Sequence, residues 1–335
     1  MKKDGSKFAT LSDVAKLANV STITASRVYN PKWKGKVRET TVEKVHKAAK
    51  ELGYNPNGIA RSLISQKTNI IAVVIGPNIG FFYERVLTKL IFKIQATGRQ
   101  ALIFVADPSV GMEAVVAQVH HYRVDAIIVT SPATRSNIMN YFTNSKIPII
   151  LFNRAISNTN ASAVWSDTIK AVDEVADFLV LNGHKFIGCV SGEKKAERNE
   201  AFIEKLKEYN KKPVYIYEGD YSYESGYKAA IQMLTASNPP DAIFCAGDDM
   251  AMGVLDAARI EMGLNIPEDL SVIGFDDNPV AKKPAYDLTT VRQPVHEMID
   301  ATIEIIEELL ENPEKQILKK IKMELVIRST VKICK

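Results

Sequence analysis

The sequence predicts a small all-α unit followed by a two-lobed α/β body with two parallel, doubly wound sheets. In residues 10–52, apolar side chains recur at helical spacing in three short stretches that begin or end at helix-capping residues. From residue 69 onward, short runs rich in Val and Ile alternate with helical segments, which is typical of parallel strands covered by helices on both faces. With 335 residues, 46% of them hydrophobic, the chain is long enough to build more than one core.

The first unit is predicted to hold three helices. Thr10 is a suitable N-cap for a first helix, and Ser21 is one for a second helix over residues 22–29. Because only about three residues separate these helices, the pattern predicts a helix-turn-helix. A third helix is expected over residues 38–52, with Gly53 as its C-terminal stop. The buried stripe of that helix is predicted to be Val42, Val45, Ala49 and Leu52.

Charge is distributed unevenly along the chain. Residues 1–67 hold 14 Lys and Arg against 5 Asp and Glu, a net charge of +9, whereas the remaining 268 residues hold 29 against 34, a net charge of −5. This asymmetry indicates a basic module that meets a polyanion, carried on a mildly acidic body. The alternative is that the lysine-rich segment is simply solvated, and composition alone does not decide between the two.

The body is predicted to contain eight strands over some 220 residues, which is better explained by two successive sheets than by one. In such sheets, ligands bind at the carboxyl ends of the strands. The predicted strands are residues 70–75, 101–105, 126–129, 148–152, 186–190, 214–217, 242–246 and 272–275.

Several classes of protein are disfavoured by the composition. The widely spaced Cys189, Cys245 and Cys334 indicate neither disulfides nor metal ligands, and the five histidines never fall into a metal-ligand spacing. We therefore expect no metal and no cofactor. No apolar run approaches the ~20 residues that span a bilayer, and the charged first residues lack a hydrophobic stretch behind them. We expect a cytoplasmic protein without a membrane partner.

Residue identities in the first unit carry a specific resemblance. The segments TLSDVAKLANVSTITASRV, residues 10–28, and GYNPNGIARSL, residues 53–63, resemble the headpiece and hinge of the LacI/GalR family of bacterial transcriptional regulators. The chain departs from the family pattern at Asn19, at Ala25 and at the insertion-like segment 31–36. The resemblance continues through the body, where it implies two lobes with a periplasmic-binding-protein-like fold.

The resemblance implies a domain organisation. It places a helix-turn-helix DNA-binding domain at residues 1–54, a hinge helix and linker at 55–68, and an effector-binding and dimerisation domain at 69–335. The chain is expected to cross between the lobes near residues 166, 293 and 326. No leucine heptad follows Val326, so we expect a homodimer without a tetramerisation helix.

The resemblance also implies which residues meet operator DNA. The second helix of the motif enters the major groove, where its side chains contact base edges. Base readout is assigned to Thr22, Ile23 and Arg27. Contacts with phosphates are assigned to Ser21, Thr24, Ser26 and Asn57. For the three hydroxyl residues, the alternative roles are capping and solvation. In the hinge, Ala60 and Leu63 are expected in the minor groove, with Leu63 wedged between base steps or, alternatively, packing the linker helix.

A set of body residues matches the family's cleft positions. The set combines carboxylate, amide, arginine and aromatic groups, which suits a polyhydroxylated ligand such as a sugar. Gly247 and Asn153 depart from the usual family residues, so only the ligand class is implied. The effector-binding residues implied are Phe81, Phe82, Asn153, Arg198, Tyr221, Asp248, Asp276 and Gln293. Their alternative roles are core packing for the phenylalanines, a surface ion pair for Arg198 and a helix cap for Asp248.

The expected function is that of a repressor of carbohydrate-utilisation genes, released from a pseudo-palindromic operator by a sugar or sugar derivative. The alternatives are a regulator that needs a purine-like corepressor or a partner protein and, more remotely, a secreted sugar-binding protein. The acid pairs 248–249 and 276–277 also raise the hypothesis of a hydrolase, because glycosidases use two carboxylates. Adjacent residues usually point apart, whereas glycosidase carboxylates face each other across ~5 to 9 Å, so we expect no enzyme activity.

Overall fold

A computed structural model describes residues 9–30, 33–55, 67–76, 81–106, 112–130, 147–192 and 197–333. The chain divides into two compact units, Met1–Asn69 and Ile70–Lys335. Within the described ranges, no helix is long and apolar enough to cross a bilayer.

The first unit contains three helices, α1 (Leu11–Leu17), α2 (Thr22–Tyr29) and α3 (Glu39–Leu52). The predicted N-cap of α1 is confirmed: the Asp13 amide donates to the Thr10 hydroxyl at 3.3 Å, and the Thr10 amide donates to the Asp13 carboxylate at 2.9 Å. The tight turn after α1 is made by residue 19, an asparagine with a left-handed φ of 54°.

Small side chains let the three helices pack closely. The buried core of this unit consists of Val14, Ala15, Ala18, Ala25, Val45, Ala48 and Ala49. The prediction for α3 was partly wrong, because Leu52 is 38% exposed and Ala48 is buried in the stripe instead. Leu52 occupies the last position of the helix, immediately before Gly53, which adopts the left-handed conformation with a φ of 61°.

The first lobe of the second unit is a six-stranded parallel sheet with α4 (Phe81–Ala96), α5 (Met112–His121) and α10 (Val295–Glu311). Elements are numbered in chain order. Its strands are β1 (Ile70–Ile75), β2 (Gln100–Val105), β3 (Ala126–Thr130), β4 (Ile149–Phe152), β5 (Ser162–Ser166) and β11 (Leu318–Ile321). The spatial order is β11-β5-β4-β3-β1-β2. Helices α4 and α10 contribute to one hydrophobic core on this sheet, and α5 contributes to another.

The second lobe is built around a second six-stranded sheet. Its strands are β6 (Ile187–Ser191), β7 (Tyr215–Glu218), β8 (Ala242–Cys245), β9 (Ser271–Asp276), β10 (Thr289–Arg292) and β12 (Glu324–Val326). Its helices are α6 (Thr168–Leu181), α7 (Glu197–Glu208), α8 (Tyr223–Leu234) and α9 (Asp248–Asp256), the last continued by a π-helical turn at Ala257–Glu261. The spatial order is β12-β10-β9-β8-β6-β7.

The predicted fold class is confirmed, with two corrections. All eight predicted strands are present, but four more were missed: β5, β10, β11 and β12. In addition, β12 pairs antiparallel to β10, so the second sheet is mostly rather than entirely parallel.

The chain passes between the two lobes three times. It leaves the first sheet after β5 at residue 166, returns from β10 to α10 through residues 293–294, and passes from β11 to β12 through residues 322–323. The third passage lies a few residues before the position expected from the sequence. Strands β5 and β10 end at the first two passages, so their carboxyl ends lie where the lobes face each other.

Candidate effector cleft and DNA-recognition surface

A chain of polar side chains connects the two lobes at the first two crossings. The Asn153 amide donates to the Tyr83 hydroxyl at 3.3 Å, and the Ser166 hydroxyl lies 3.3 Å from the Asn153 side-chain oxygen and 3.4 Å from that of Gln293. The Gln293 amide in turn donates to Asp276 at 2.6 Å. Asn153, Asp276 and Gln293 were predicted site residues, whereas Tyr83 and the role of Ser166 were missed.

Arg198 extends this chain into the second lobe. Its guanidinium lies 3.3 Å from Asp276, donates to the Ala246 carbonyl, and stacks 3.7 Å from the centroid of Phe275. Burial raises the pKa of Asp276, and the charge of Arg198 and the hydrogen bond from Gln293 oppose that rise. The two side chains keep 18% and 17% of their surface exposed, so both can still be reached by a ligand.

Tyr221 covers the carboxyl ends of two strands of the second lobe. Its backbone is left-handed, with a φ of 67°, and its side chain is exposed. The ring lies on Gly192, which follows β6: a Cβ added there would be 1.9 Å from the Tyr221 ring. It also lies near Gly247, which follows β8. The missing side chain of Gly192 leaves room for the aromatic ring, whereas a Cβ at Gly247 would make an ordinary contact with it at 3.5 Å. Sequence reasoning overlooked Gly192.

Asp248, predicted as an effector contact, is instead fully buried. One carboxylate oxygen accepts from the Asn278 amide at 2.6 Å, and the other accepts from the Thr290 hydroxyl at 2.5 Å. Burial, together with the negative charge of Asp276, raises its pKa well above the usual range. Asp248 therefore joins α9 to the end of β9 and to β10, and it does not present a carboxylate to the cleft.

Asp277, which received no role from the sequence, is a buried carboxylate at the centre of an ionic cluster. It is 2% exposed and pairs with Arg292 at 2.7 Å, Arg328 at 2.6 Å and Lys282 at 3.1 Å. Burial alone would raise its pKa, but the hydrogen bonds from these cations hold the pKa below its usual value. Both Asp276 and Asp277 have positive φ angles, 115° and 51°, so this ion cluster fixes an unfavourable backbone at the end of β9.

A cavity of about 610 Å³ lies beside the crossings and includes Asp276 and Gln293 in its lining. Arg85 on α4 donates to the Asp277 carbonyl at 3.4 Å, so a first-lobe helix meets the second lobe here. Nearby, Lys89 lies 2.7 Å from the His296 ring. Burial, together with the charges of Arg85 and Lys282, lowers the pKa of Lys89.

The predicted phenylalanines belong to α4. The side chain of Phe82 is 9% exposed and lies in the core of the first lobe, which is the alternative role that the sequence left open. Phe81 is the first residue of the helix, and its side chain lies outside the described part of the structure.

In the first unit, the residues assigned to base readout lie on the exposed surface of α2. Thr22 and Arg27 are exposed, and Ile23 is 66% exposed although it is apolar. Ile23 and Arg27 are four residues apart and therefore share one face of the helix. An exposed isoleucine beside an arginine suits a surface that is covered by a partner.

The residues assigned to phosphate contacts differ in their surroundings. The Ser21 hydroxyl accepts from the Thr24 amide at 3.1 Å and lies 2.8 Å from the Thr24 hydroxyl, so Ser21 is the N-cap of α2. Ser26 is half-buried. Asn57, Ala60 and Leu63 lie outside the described residues.

In the part of the chain that the structure describes, no three His, Cys, Asp or Glu side chains converge in an arrangement that could hold a metal ion. Cys189 and Cys245 are buried, as expected for core residues.

A helix-turn-helix unit and a two-lobed body with a polar cleft define the class of ligand-responsive DNA-binding regulators. Comparison with known proteins supports this class. A family profile described as bacterial regulatory proteins, lacI family, matches residues 10–57, and one described as a periplasmic binding protein-like domain matches residues 176–331.

Full-length relatives give the family. The chain is 30% identical to the probable HTH-type transcriptional repressor ExuR of Bacillus subtilis, over 97% of this chain and 99% of the relative. It is 33% identical to Catabolite control protein A of Priestia megaterium, over 86% and 89%. A structure of the Lac repressor bound to ONPG in the repressed state is 26% identical, with a TM-score of 0.84 and coverage of 97% and 100%. The chain belongs to the lacI family of bacterial regulatory proteins.

Proposed function

We propose that the protein is a cytoplasmic repressor of carbohydrate-utilisation genes that leaves its operator when a sugar or sugar derivative binds between the lobes. The name of one relative, Catabolite control protein A, supports a role in catabolism. The observation that carries the proposal is the polar chain from Asn153 through Ser166 and Gln293 to Asp276 and Arg198. It places amide, carboxylate and guanidinium groups where the lobes face each other.

The ligand class follows from this chemistry. Planar amides, a carboxylate and an arginine pair with the hydroxyls of a polyhydroxylated ligand, and the ring of Tyr221 can cover an apolar sugar face. Because the polar chain contains residues of both lobes and of two crossings, a ligand that replaces its internal hydrogen bonds changes the relative energies of two lobe arrangements. A ligand with different affinities for these arrangements shifts the population between them.

DNA binding is assigned to the first unit. In a homodimer, two copies of α2 read the half-sites of a pseudo-palindromic operator. We assign base readout to Thr22, Ile23 and Arg27, and phosphate contacts to Ser21, Thr24, Ser26 and Asn57. Ala60 and Leu63 of the hinge are assigned to the minor groove. The domains proposed are residues 1–54 for DNA binding, 55–68 for the hinge and 69–335 for effector binding and dimerisation.

The test is fluorescence anisotropy of the full chain on a set of palindromic duplexes at fixed salt, repeated with sugars, sugar phosphates and purines. The proposal expects specific binding that one carbohydrate abolishes. Binding that a purine strengthens would contradict release by sugar and assign a corepressor instead. A folded dimer without sequence-specific binding under any of these conditions would overturn the proposed function. We propose no enzymatic activity. Analysis of the carbohydrate after incubation with the protein tests this directly, because the carbohydrate should be recovered unchanged.

A further inference from the structure

An indole ring lies against the proposed base-reading arginine. The guanidinium carbon of Arg27, in the last turn of α2, is 4.2 Å from the centroid of the Trp33 ring. The Lys36 ammonium is 5.7 Å from the same centroid. Both distances fall within the roughly 6 Å over which a cation is attracted to an aromatic face. Trp33 thus holds a cation at the surface assigned to DNA.

The backbone around Trp33 explains how the ring reaches α2. The Trp33 amide donates to the Asn30 carbonyl at 2.9 Å, and the Lys36 amide donates to the Trp33 carbonyl at 2.9 Å. Gly35 follows with a left-handed φ of 76°. The first contact joins Trp33 to the residue that follows α2, and the second closes a turn over residues 33–36. Together they hold the indole beside the exposed Arg27 side chain. Trp33 lies in the segment that departs from the family pattern.

We propose that Trp33 is a positioning residue that orients Arg27 and thereby sets the base preference of this protein at one operator position. The proposal rests on the proposed function, because it requires Arg27 to meet a base edge. An arginine side chain loses much rotamer freedom when it binds, and a stacked guanidinium has already lost part of it. A planar donor fork with a fixed direction also favours the base whose acceptors match it, as in bidentate pairing with guanine.

Contact of Trp33 with DNA itself is a competing role with different consequences. A side chain that packs against the DNA backbone strengthens binding to every sequence equally, whereas one that orients a base-reading group changes the preference among bases. The cations within 6 Å of the ring favour the orienting role, since they already occupy its surroundings in the free protein.

The first measurement concerns the free protein. The chain has two tryptophans, so Trp165→Phe leaves Trp33 as the single indole. In that background, we expect Arg27→Ala to increase acrylamide quenching of Trp33 fluorescence, because the ring loses its cover. Lys34→Ala, which removes an exposed cation from the same segment, is the control and should leave quenching unchanged. Equal quenching in all three proteins would overturn the stacking on which the proposal depends.

The second measurement concerns specificity in the full chain. Selection from randomised duplexes defines the preferred operator, and anisotropy then measures all four bases at each position. Trp33→Ala should weaken binding to the preferred operator about two- to fivefold. It should flatten base preference at the same position at which Arg27→Ala does, and the double variant should behave as Arg27→Ala alone. Trp33→Phe, which keeps an aromatic face, should retain most of the preference.

Each contrary result has a separate meaning. If selection yields no preferred sequence for the wild-type protein, the proposed function fails. If a sequence emerges but Trp33→Ala weakens all duplexes equally, or its effect multiplies with that of Arg27→Ala, the positioning role is wrong. Circular dichroism melting of each variant shows that the unit is folded in every comparison.

Discussion

The side-chain amide of Gln293 donates to the carboxylate of Asp276 at 2.6 Å, which ties the second lobe crossing to the end of β9. Gln293 is 6% exposed and also lies 3.4 Å from Ser166 at the first crossing. One side chain therefore lies at the second crossing and contacts both a residue of the first crossing and the cleft carboxylate. This position makes it the most informative site for substitution.

Gln293→Leu should keep DNA binding but lose most of the response to the effector. The substitution removes the hydrogen bond from Gln293 and leaves Arg198 as the partner of Asp276, and a hydrogen bond to a charged group contributes about 1.5–3 kcal/mol. We expect at least a tenfold higher ligand concentration for half-maximal release in the anisotropy assay. Gln232→Leu, at an exposed position of α8, is the matched control. Release of both variants at the wild-type concentration would show that Gln293 takes no part in sensing.

Asp277→Asn should destabilise the body strongly. It removes a buried negative charge from three cations, of which Arg328 is 12% exposed and Arg292 and Lys282 are 42% and 49% exposed. Because water solvates the two exposed cations, the expected cost is about 2–3 kcal/mol, below the 3–5 kcal/mol of a fully buried pair. The folded-state pKa of Asp277 is below the unfolded value of about 3.9, so its contribution is complete above that pH and is lost as the pH falls through the folded pKa. Urea unfolding should therefore show a large difference from wild type at pH 7 that shrinks under strong acid. A difference that is constant with pH would refute the ionic explanation.

The stability of Asp248→Asn relative to wild type should depend on pH in the opposite direction to that of Asp277→Asn. The pKa of Asp248 is raised in the folded state, so its proton stabilises the fold below the unfolded pKa of about 3.9, and stability is lost as pH rises toward the folded value. Asparagine resembles the protonated acid: its oxygen can accept from the Asn278 amide, and its amide can donate to Thr290. We expect Asp248→Asn to be at least as stable as wild type at pH 8, whereas Asp248→Ala, which removes both partners, is less stable. Equal losses in both variants at pH 8 would mean that Asp248 is charged in the fold.

Gly192→Ala should impair ligand binding through Tyr221. The added Cβ would lie 1.9 Å from the ring, so the ring must move away from the ends of β6 and β8. Because the ring is exposed and can swing outward, we expect a small change in melting temperature and about a tenfold loss of ligand affinity by calorimetry, of the order of one lost stacking contact. Gly247→Ala is the control, because its added Cβ would lie 3.5 Å from the same ring, an ordinary van der Waals contact, and its φ of −160° is an extended backbone that alanine adopts. An unaltered ligand affinity in Gly192→Ala would show that the Tyr221 ring does not contact the ligand.

Ser21 is expected to combine two roles that substitutions can separate. Ser21→Ala removes the cap of α2 and should cost about 1 kcal/mol of stability in the first unit. Ser21→Asp keeps a capping oxygen, so its stability should match wild type, but its negative charge should weaken binding to every duplex by repelling phosphates. Thermal melting and anisotropy measure the two effects. If Ser21→Asp binds DNA as wild type does, Ser21 acts as a cap alone.

Strong local signals made much of the fold predictable. The bounds of α2 coincide with the prediction because Ser21 and the turn at residue 19 both act through local hydrogen bonds and backbone geometry. Two of the missed strands, β11 and β12, lack such signals. Strand β11 has alternating exposure and two lysines, and β12 has three residues, so both depend on pairing with distant strands rather than on a buried apolar run.

The candidate effector site was likewise predicted only in part. Sequence reasoning named Asn153, Arg198, Asp276 and Gln293, which the structure brings into one hydrogen-bonded chain. It misjudged Asp248, because Asp248 and the adjacent Asp249 look alike in a sequence, although Asp248 is fully buried and Asp249 is only half-buried. The exposure of a side chain at a strand end depends on the loop that follows, and local pattern carries little information about that loop.

The second and third crossings make both lobes discontinuous in sequence. Each sheet receives its last strand, β11 or β12, from residues 318–326, and only residues 322 and 323 separate the two. Residue 323 is a methionine that is 3% exposed and packs in the core of the second lobe. A chain shortened before residue 318 would lack an edge strand in both sheets at once, so neither lobe can be completed independently of the other. The body should therefore melt in a single cooperative transition, and calorimetry of residues 70–335 should show one peak whose calorimetric and van't Hoff enthalpies agree.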